Sequence, residues 1–145
     1  MRPFAYFDTS ALVKRFVQEA KTIQVENFLM GDTHRCVLSS LSITEMKSVL
    51  SRRQREAHIT EKVAQQSLQQ VMRELAQGSW HYQRIEEPLF AYAGELIGQL
   101  TTVLGALDAL HLACAKTANC TLMVSADKQL LRASSESGLQ ILDVS

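Results

Sequence analysis

The stretch Ala5-Tyr6-Phe7-Asp8-Thr9-Ser10-Ala11-Leu12 constrains this chain more than any other. Phe4 to Phe7 is continuously apolar and does not alternate, so as a strand it must be buried on both faces, the situation of a strand inside a parallel sheet. Asp8 follows at once, and from Ser10 onward Leu12, Val13, Phe16 and Val17 fall at helical spacing. A strand that ends in an acid and turns straight into a helix is how an open α/β sheet presents a polar group at its functional edge.

The same grammar recurs. Cys36 to Leu38 is a short apolar strand ending in Ser39 and Ser40, and Thr121 to Val124 is another, followed by Ser125-Ala126-Asp127. Trp80 to Ile85 and Leu139 to Leu142 complete five expected strands. Between them the spacing predicts helices through Ile23 to Leu29, closed by Gly31, and from a Ser42-Ile43-Thr44-Glu45 capping box to about Arg55. Another opens at Thr60 with Val63, Leu68, Val71, Met72 and Leu75 as its packed stripe and Gly78 as its stop. Pro88 starts a helix with Leu89, Phe90, Ala93, Leu96, Ile97 and Leu100 as its apolar face. Gly105 separates this from a helix carrying Asp108, and a last one runs through Leu130 and Leu131 to Gly138. Alternating strands and helices give an α/β fold, a parallel sheet between two helical layers. With no repeat and no Pro/Gly/Ser-rich linker, residues 1–145 are expected to form one domain.

Composition excludes more than it identifies. Fifteen basic and fifteen acidic side chains cancel, so a nucleic-acid partner could be recognised only through a local patch. Cys36, Cys114 and Cys120 are odd in number and lack metal-knuckle spacing, which points to a reducing, cytoplasmic setting. The apolar run before Asp8 is too short for a signal peptide, and no run of about 18 apolar residues suggests a membrane span.

Four acids carry the chemistry. Asp8, Glu45 and Asp127 each follow an expected strand within a few residues, so a parallel sheet would collect them at its carboxyl edge. Asp108 lies between Leu107 and Ala109, among apolar neighbours that imply burial. Each acid also has a structural reading. Asp8 and Asp127 could be N-caps, Glu45 could complete the capping box, and Asp108 could favour a helix dipole. Several carboxylates in one site cannot all ionise comfortably without a cation, and hard oxygen ligands suit Mg²⁺ or Mn²⁺. Thr9 and Ser125 are candidates for orienting the acids from behind. Lys14, Arg15, Lys47 and Arg52 are candidate contacts to a phosphate backbone, with a solvated basic face as the alternative for them and for Arg53 and Arg55. His111, one turn beyond Asp108, is expected to be a core histidine.

Asp8-Thr9-Ser10-Ala11-Leu12, Glu45 after a serine-rich strand end, Leu107-Asp108-Ala109-Leu110-His111-Leu112-Ala113 and Ser125-Ala126-Asp127 together resemble the four acidic motifs of the PIN domain, specifically VapC-type toxins. The resemblance runs from Asp8 to the last strand. It implies a PIN-like fold with five parallel strands in the order 3-2-1-4-5, and Mg²⁺- or Mn²⁺-dependent ribonuclease activity on Asp8, Glu45, Asp108 and Asp127. It further implies a homodimer and a small cognate antitoxin protein. Leu130-Leu131 stand where an aromatic residue is common, and Leu104 to Leu107 lack a basic residue found in some relatives. Two other classes remain open at this level: a catalytically inactive PIN-like protein-binding module with its acids serving as caps, and a haloacid-dehalogenase-like phosphatase. The latter wants an Asp two residues after the first, where this chain has Ser10.

Overall fold

The computed structural model describes residues 1–145. In chain order the elements are β1 (Phe4–Phe7), α1 (Thr9–Phe16), α2 (Thr22–Met30), β2 (Arg35–Ser39), α3 (Ser40–Arg55) and α4 (Glu61–Ala76). There follow β3 (His81–Gln83), α5 (Glu87–Gln99), α6 (Ala106–Thr117), β4 (Cys120–Ser125), α7 (Lys128–Glu136) and β5 (Gln140–Asp143). All five strands are parallel and ordered β3-β2-β1-β4-β5, the arrangement the sequence resemblance implies.

β1 is central because nothing in it can face water: Ala5, Tyr6 and Phe7 are fully buried. Alternate side chains leave a strand on opposite faces. Ala5 and Phe7 pack with Leu12, Val13, Val25, Met46, Leu50, Val71 and Trp80, from α1 to α4 and the approach to β3. Tyr6 packs with Leu96, Leu112, Ala113 and Leu130, from α5 to α7. The two helical layers therefore sit on either side of the sheet. Strand order reverses between β1 and β4, whose register pairs Phe7 with Val124 and so brings Asp8 level with the end of β4. Here an open α/β sheet has its crevice.

Local chemistry sets most boundaries. Thr60 caps α4 by accepting from the Val63 N–H, Pro88 lies in the first turn of α5, and Gly78 takes a positive φ of 77° just after α4. Three expectations need correction. The capping box of α3 is Ser39 with Ser42, so the helix begins at Ser40 and Glu45 lies inside it instead of completing the box. On α4 the buried positions are Ala64, Ser67, Val71 and Glu74, while Met72 is 51% exposed, because the Glu74 carboxylate turns inward to accept from the Trp80 indole. Phe90 and Ile97 on α5 are likewise exposed. β3 is shorter than Trp80 to Ile85, and Trp80 packs edge-on against Phe7 in the core. No helix is long and apolar enough to cross a membrane.

Candidate active site

Asp8, Glu45, Asp108 and Asp127 all line one cavity of about 550 Å³ at the carboxyl edge of the sheet, bordered also by Thr9, Ser10, Lys14, Glu19, Arg52, Arg53 and His111. The elements deliver each acid differently. Asp8 is the N-cap of α1 and Asp127 that of α7. Glu45 reaches in from α3, and Asp108 from the first turn of α6.

Asp8 is 4% exposed and densely hydrogen-bonded. The Ala11 N–H donates to its Oδ1 at 3.0 Å, Ser125 Oγ to its Oδ2 at 2.7 Å, and Ser10 Oγ lies 2.7 and 2.9 Å from its two oxygens. Burial pushes its carboxyl up, against the charge of His111 and these donors, and burial prevails. Capping and exposure to the cavity are thus combined in one side chain. Asp127 uses Oδ1 to accept from the Gln129 and Leu130 N–H groups, while its own N–H donates to Ser125 Oγ. Ser125 therefore braces two of the acids at once.

Glu45 is fixed on one side only. Its Oε1 accepts from Thr9 Oγ1 at 2.8 Å and contacts His111 Nε2 at 2.5 Å. Burial raises its carboxyl, but the hydrogen bond and charge of His111, together with Thr9, outweigh that and hold it below the ordinary value. Asp108 has no such help. Burial, then the charge of Asp127, with smaller contributions from Asp8 and Glu45, push it up to about 6 against the opposing charge of His111. All three companion acids oppose its ionisation.

The donors facing the cavity are carboxylate and hydroxyl oxygens, the chemistry of a hard divalent cation, and a cation there would relieve the repulsion centred on Asp108. As they stand, no three His, Cys, Asp or Glu side chains close on a single point. The residues fit the ion by donor type and charge, with the side chains still apart.

The basic residues named from sequence separate. Arg52 is exposed on the cavity rim. Lys14 is buried in the cavity wall, donating to Glu19 Oε1 at 3.1 Å and to the Ala20 carbonyl at 2.9 Å. Arg15 turns away to pair with Glu74 and Glu26 beside a different hollow, and exposed Lys47 does not border the cavity. Helical phase explains the split: on α3, Ser48, Val49, Arg52 and Arg53 follow Glu45 at three- and four-residue steps.

Three site residues escaped the sequence reading. Ser10 bridges both Asp8 oxygens and the Ala126 N–H, a role hidden because it also suits a helix start. Glu19 is a fifth carboxylate on the cavity, clamping Lys14 and Arg53, and nothing in its loop position marks it. His111 is buried, as a core histidine would be, but both its ring nitrogens are engaged by polar partners. Its spacing from Asp108 could have signalled this, since residues three apart share a helix face.

A 3-2-1-4-5 parallel sheet with an acid-lined crevice at its switch point defines the class of protein. The family model of the PIN domain matches residues 5–136, and the chain belongs to the PIN domain family. Its fold is similar to VapBC2 from Rickettsia felis, solved bound to a DNA fragment from its promoter, at 14% identity and TM-score 0.67, over 98% of this chain and 99% of that one. It is also similar to Mycobacterium tuberculosis VapC20, a toxin that cleaves the sarcin-ricin loop, at 13% identity and TM-score 0.69, covering 89% and 94%. A toxin–antitoxin complex from Klebsiella pneumoniae matches at 14% identity and TM-score 0.64, covering 97% and 98%. Comparison with curated protein sequences finds no significant match.

Proposed function

We propose that this chain is a VapC-type endoribonuclease that hydrolyses RNA phosphodiester bonds with the help of Mg²⁺ or Mn²⁺. One observation carries the reading: four carboxylates from four separate elements meet at one cavity, where burial first and the neighbouring acids next raise Asp108 to about 6. Capping explains Asp8 and Asp127, whereas Asp108, in the first turn of α6, has only the helix dipole to favour its charge, which burial and the other acids outweigh. That disfavours an inactive binding module.

Asp8, Asp108 and Asp127 would hold the ion, with Glu45 as a further ligand or as the group that orients the attacking water. A bound divalent cation lowers the pKa of water and offsets charge developing on the phosphate. Ser125 ties the Asp8 carboxylate to the backbone of Asp127, and Ser10 bonds both carboxylate oxygens of Asp8. Of the four basic candidates Arg52 alone is both exposed and on the cavity rim, which supports it as the contact to the RNA backbone. Lys14 instead shapes the wall through Glu19. The named toxins among the fold's neighbours support a role as the toxin of a pair, with a small antitoxin as partner. Exposed Phe90 and Ile97, two turns apart on α5, suit a face covered in a homodimer.

The test is incubation of the purified chain with total cellular RNA, with Mn²⁺, Mg²⁺ or excess EDTA, and mapping of the cut ends. Discrete cuts that vanish in EDTA and in Asp108→Asn are expected. No cleavage with either metal, or equal cleavage by the variant, would overturn the reading.

A further inference from the structure

Behind Glu45 lies a buried polar chain that the four acids do not account for. His111, 2% exposed on α6, touches Glu45 Oε1 through Nε2, and its Nδ1 lies 2.7 Å from the Tyr6 hydroxyl. Tyr6 is fully buried in the central strand, edge-on to the imidazole, with its hydroxyl 2.9 Å from Ser39 Oγ. The chain thus links the carboxyl end of β2, the middle of β1, α6 and α3.

An apolar side chain at position 111 would fill the space but leave the Tyr6 hydroxyl with Ser39 alone and Glu45 Oε1 with Thr9 alone, so it is the polar contacts, not core packing, that call for an imidazole here. Its orientation is fully specified. Glu45 Oε1 already accepts from Thr9 and as a carboxylate has no proton to offer, so the proton between Glu45 and His111 sits on Nε2. Nδ1 then either accepts from the Tyr6 hydroxyl in a neutral ring or donates to it in a charged one. With Oε1 held by two donors, Glu45 can present only Oε2 to the cavity.

We propose that His111, backed by Tyr6, is a positioning residue for Glu45, and that it assigns Glu45 to orienting the attacking water through Oε2 and not to holding the ion. The inference rests on the nuclease reading above. A histidine whose second nitrogen is anchored in this way fixes the orientation of the group it touches, and loss of such an outer contact commonly costs about 10–100-fold in activity or metal affinity. Which of the two is lost separates the possible roles of Glu45.

The experiment compares His111→Leu, His111→Gln and Tyr6→Phe with the parent chain, by RNA cleavage kinetics, by Mn²⁺ titration calorimetry, and by ¹⁵N NMR of the imidazole in the metal-free protein. In the parent, NMR should show the proton on Nε2, and in Tyr6→Phe the proton should stay there while the Nδ1 resonance shifts because it has lost its partner. His111→Leu should lower kcat by about 10-fold or more with KM and Mn²⁺ affinity within about twofold. His111→Gln, whose carboxamide nitrogen reaches where Nε2 stands, should recover most of kcat. Weaker Mn²⁺ binding in His111→Leu would make Glu45 a ligand and overturn the assignment. An unprotonated Nε2 in the parent, or no rescue by Gln, would overturn the positioning role. If the parent cuts no RNA the nuclease reading fails, yet the NMR result still decides whether His111 holds Glu45. Should His111→Leu not fold, Tyr6→Phe carries the same kinetic and spectroscopic comparison, with a smaller kcat loss expected and an unchanged ring overturning the role of Tyr6.

Discussion

Replacing Asp108 by Asn should stabilise the protein while destroying its activity. Asp108 has a carboxyl raised from 3.8 to about 6, by burial first and by Asp127 next. At about 1.4 kcal/mol per unit, that shift would amount to about 3 kcal/mol for a fully enclosed group. Asp108 is only half-buried, so solvent screening reduces this to about 1–1.5 kcal/mol. The sign follows from proton binding. Between the unfolded value near 4 and the folded value about 6, the folded chain binds the additional proton, so stability falls as pH rises through that window and stays lowered above it. Asn carries no charge at any pH. In metal-free buffer with EDTA, Asp108→Asn should therefore melt about 3–6 °C higher than the parent at pH 7.5, with the gain fading towards pH 4. Differential scanning calorimetry across that range measures it. Mn²⁺ should raise the melting temperature of the parent and close the gap, because an ion bound only by the folded state adds stability. An unchanged or lower melting temperature in the variant at pH 7.5, or a gain independent of pH, would refute the claim that burial and the neighbouring acids disfavour an ionised Asp108 in the free protein.

Other consequences follow from the same geometry. Asp8→Ala should cost about 2–4 kcal/mol in urea unfolding, through loss of the α1 cap and orphaned Ser10 and Ser125 hydroxyls, whereas Asp8→Asn should cost less because it still accepts from the Ala11 N–H. Charge reversal at Arg52 should weaken RNA binding and flatten its salt dependence by about 0.7 in the log–log slope, while the same change at Lys47 leaves that slope alone, as fluorescence anisotropy over a salt series would show. Ser125→Ala should weaken Mn²⁺ binding by about 10-fold in calorimetry, since one hydroxyl aligns both Asp8 and Asp127.

The sheet was legible because a both-faces-buried strand leaves a mark that no amphipathic strand shares: Phe4 to Phe7 has no polar break, and the strand is indeed central. The convergence of Asp8, Glu45 and Asp127 followed from strand ends alone, whereas Asp108 joined them only through the resemblance of its motif, since its apolar neighbours implied a burial that half-buried Asp108 and exposed Leu107 do not show. Less visible was anything that depends on which side chain turns inward. On α4, Glu74 is buried and Met72 exposed because Trp80 needs an acceptor for its indole, a contact between residues whose partnership no hydrophobic period reveals. Arg15 and Lys14 are neighbours in sequence but differ by 100° around α1, enough to send one to Glu74 and the other to Glu19. His111 looked like core because burial is all that an apolar setting predicts, while its partners Tyr6 and Glu45 lie 105 and 66 residues away.

The central claim is that Asp8, Asp108 and Asp127, with Glu45 beside them, gather a divalent cation at the mouth between β1 and β4. Anomalous diffraction from crystals soaked in Mn²⁺ tests it most directly. The account predicts a peak within coordination distance of Asp8, Asp108 and Asp127, with their side chains drawn together and Glu45 still held by His111. A cavity without a peak at saturating Mn²⁺, or a peak elsewhere on the protein, would contradict it.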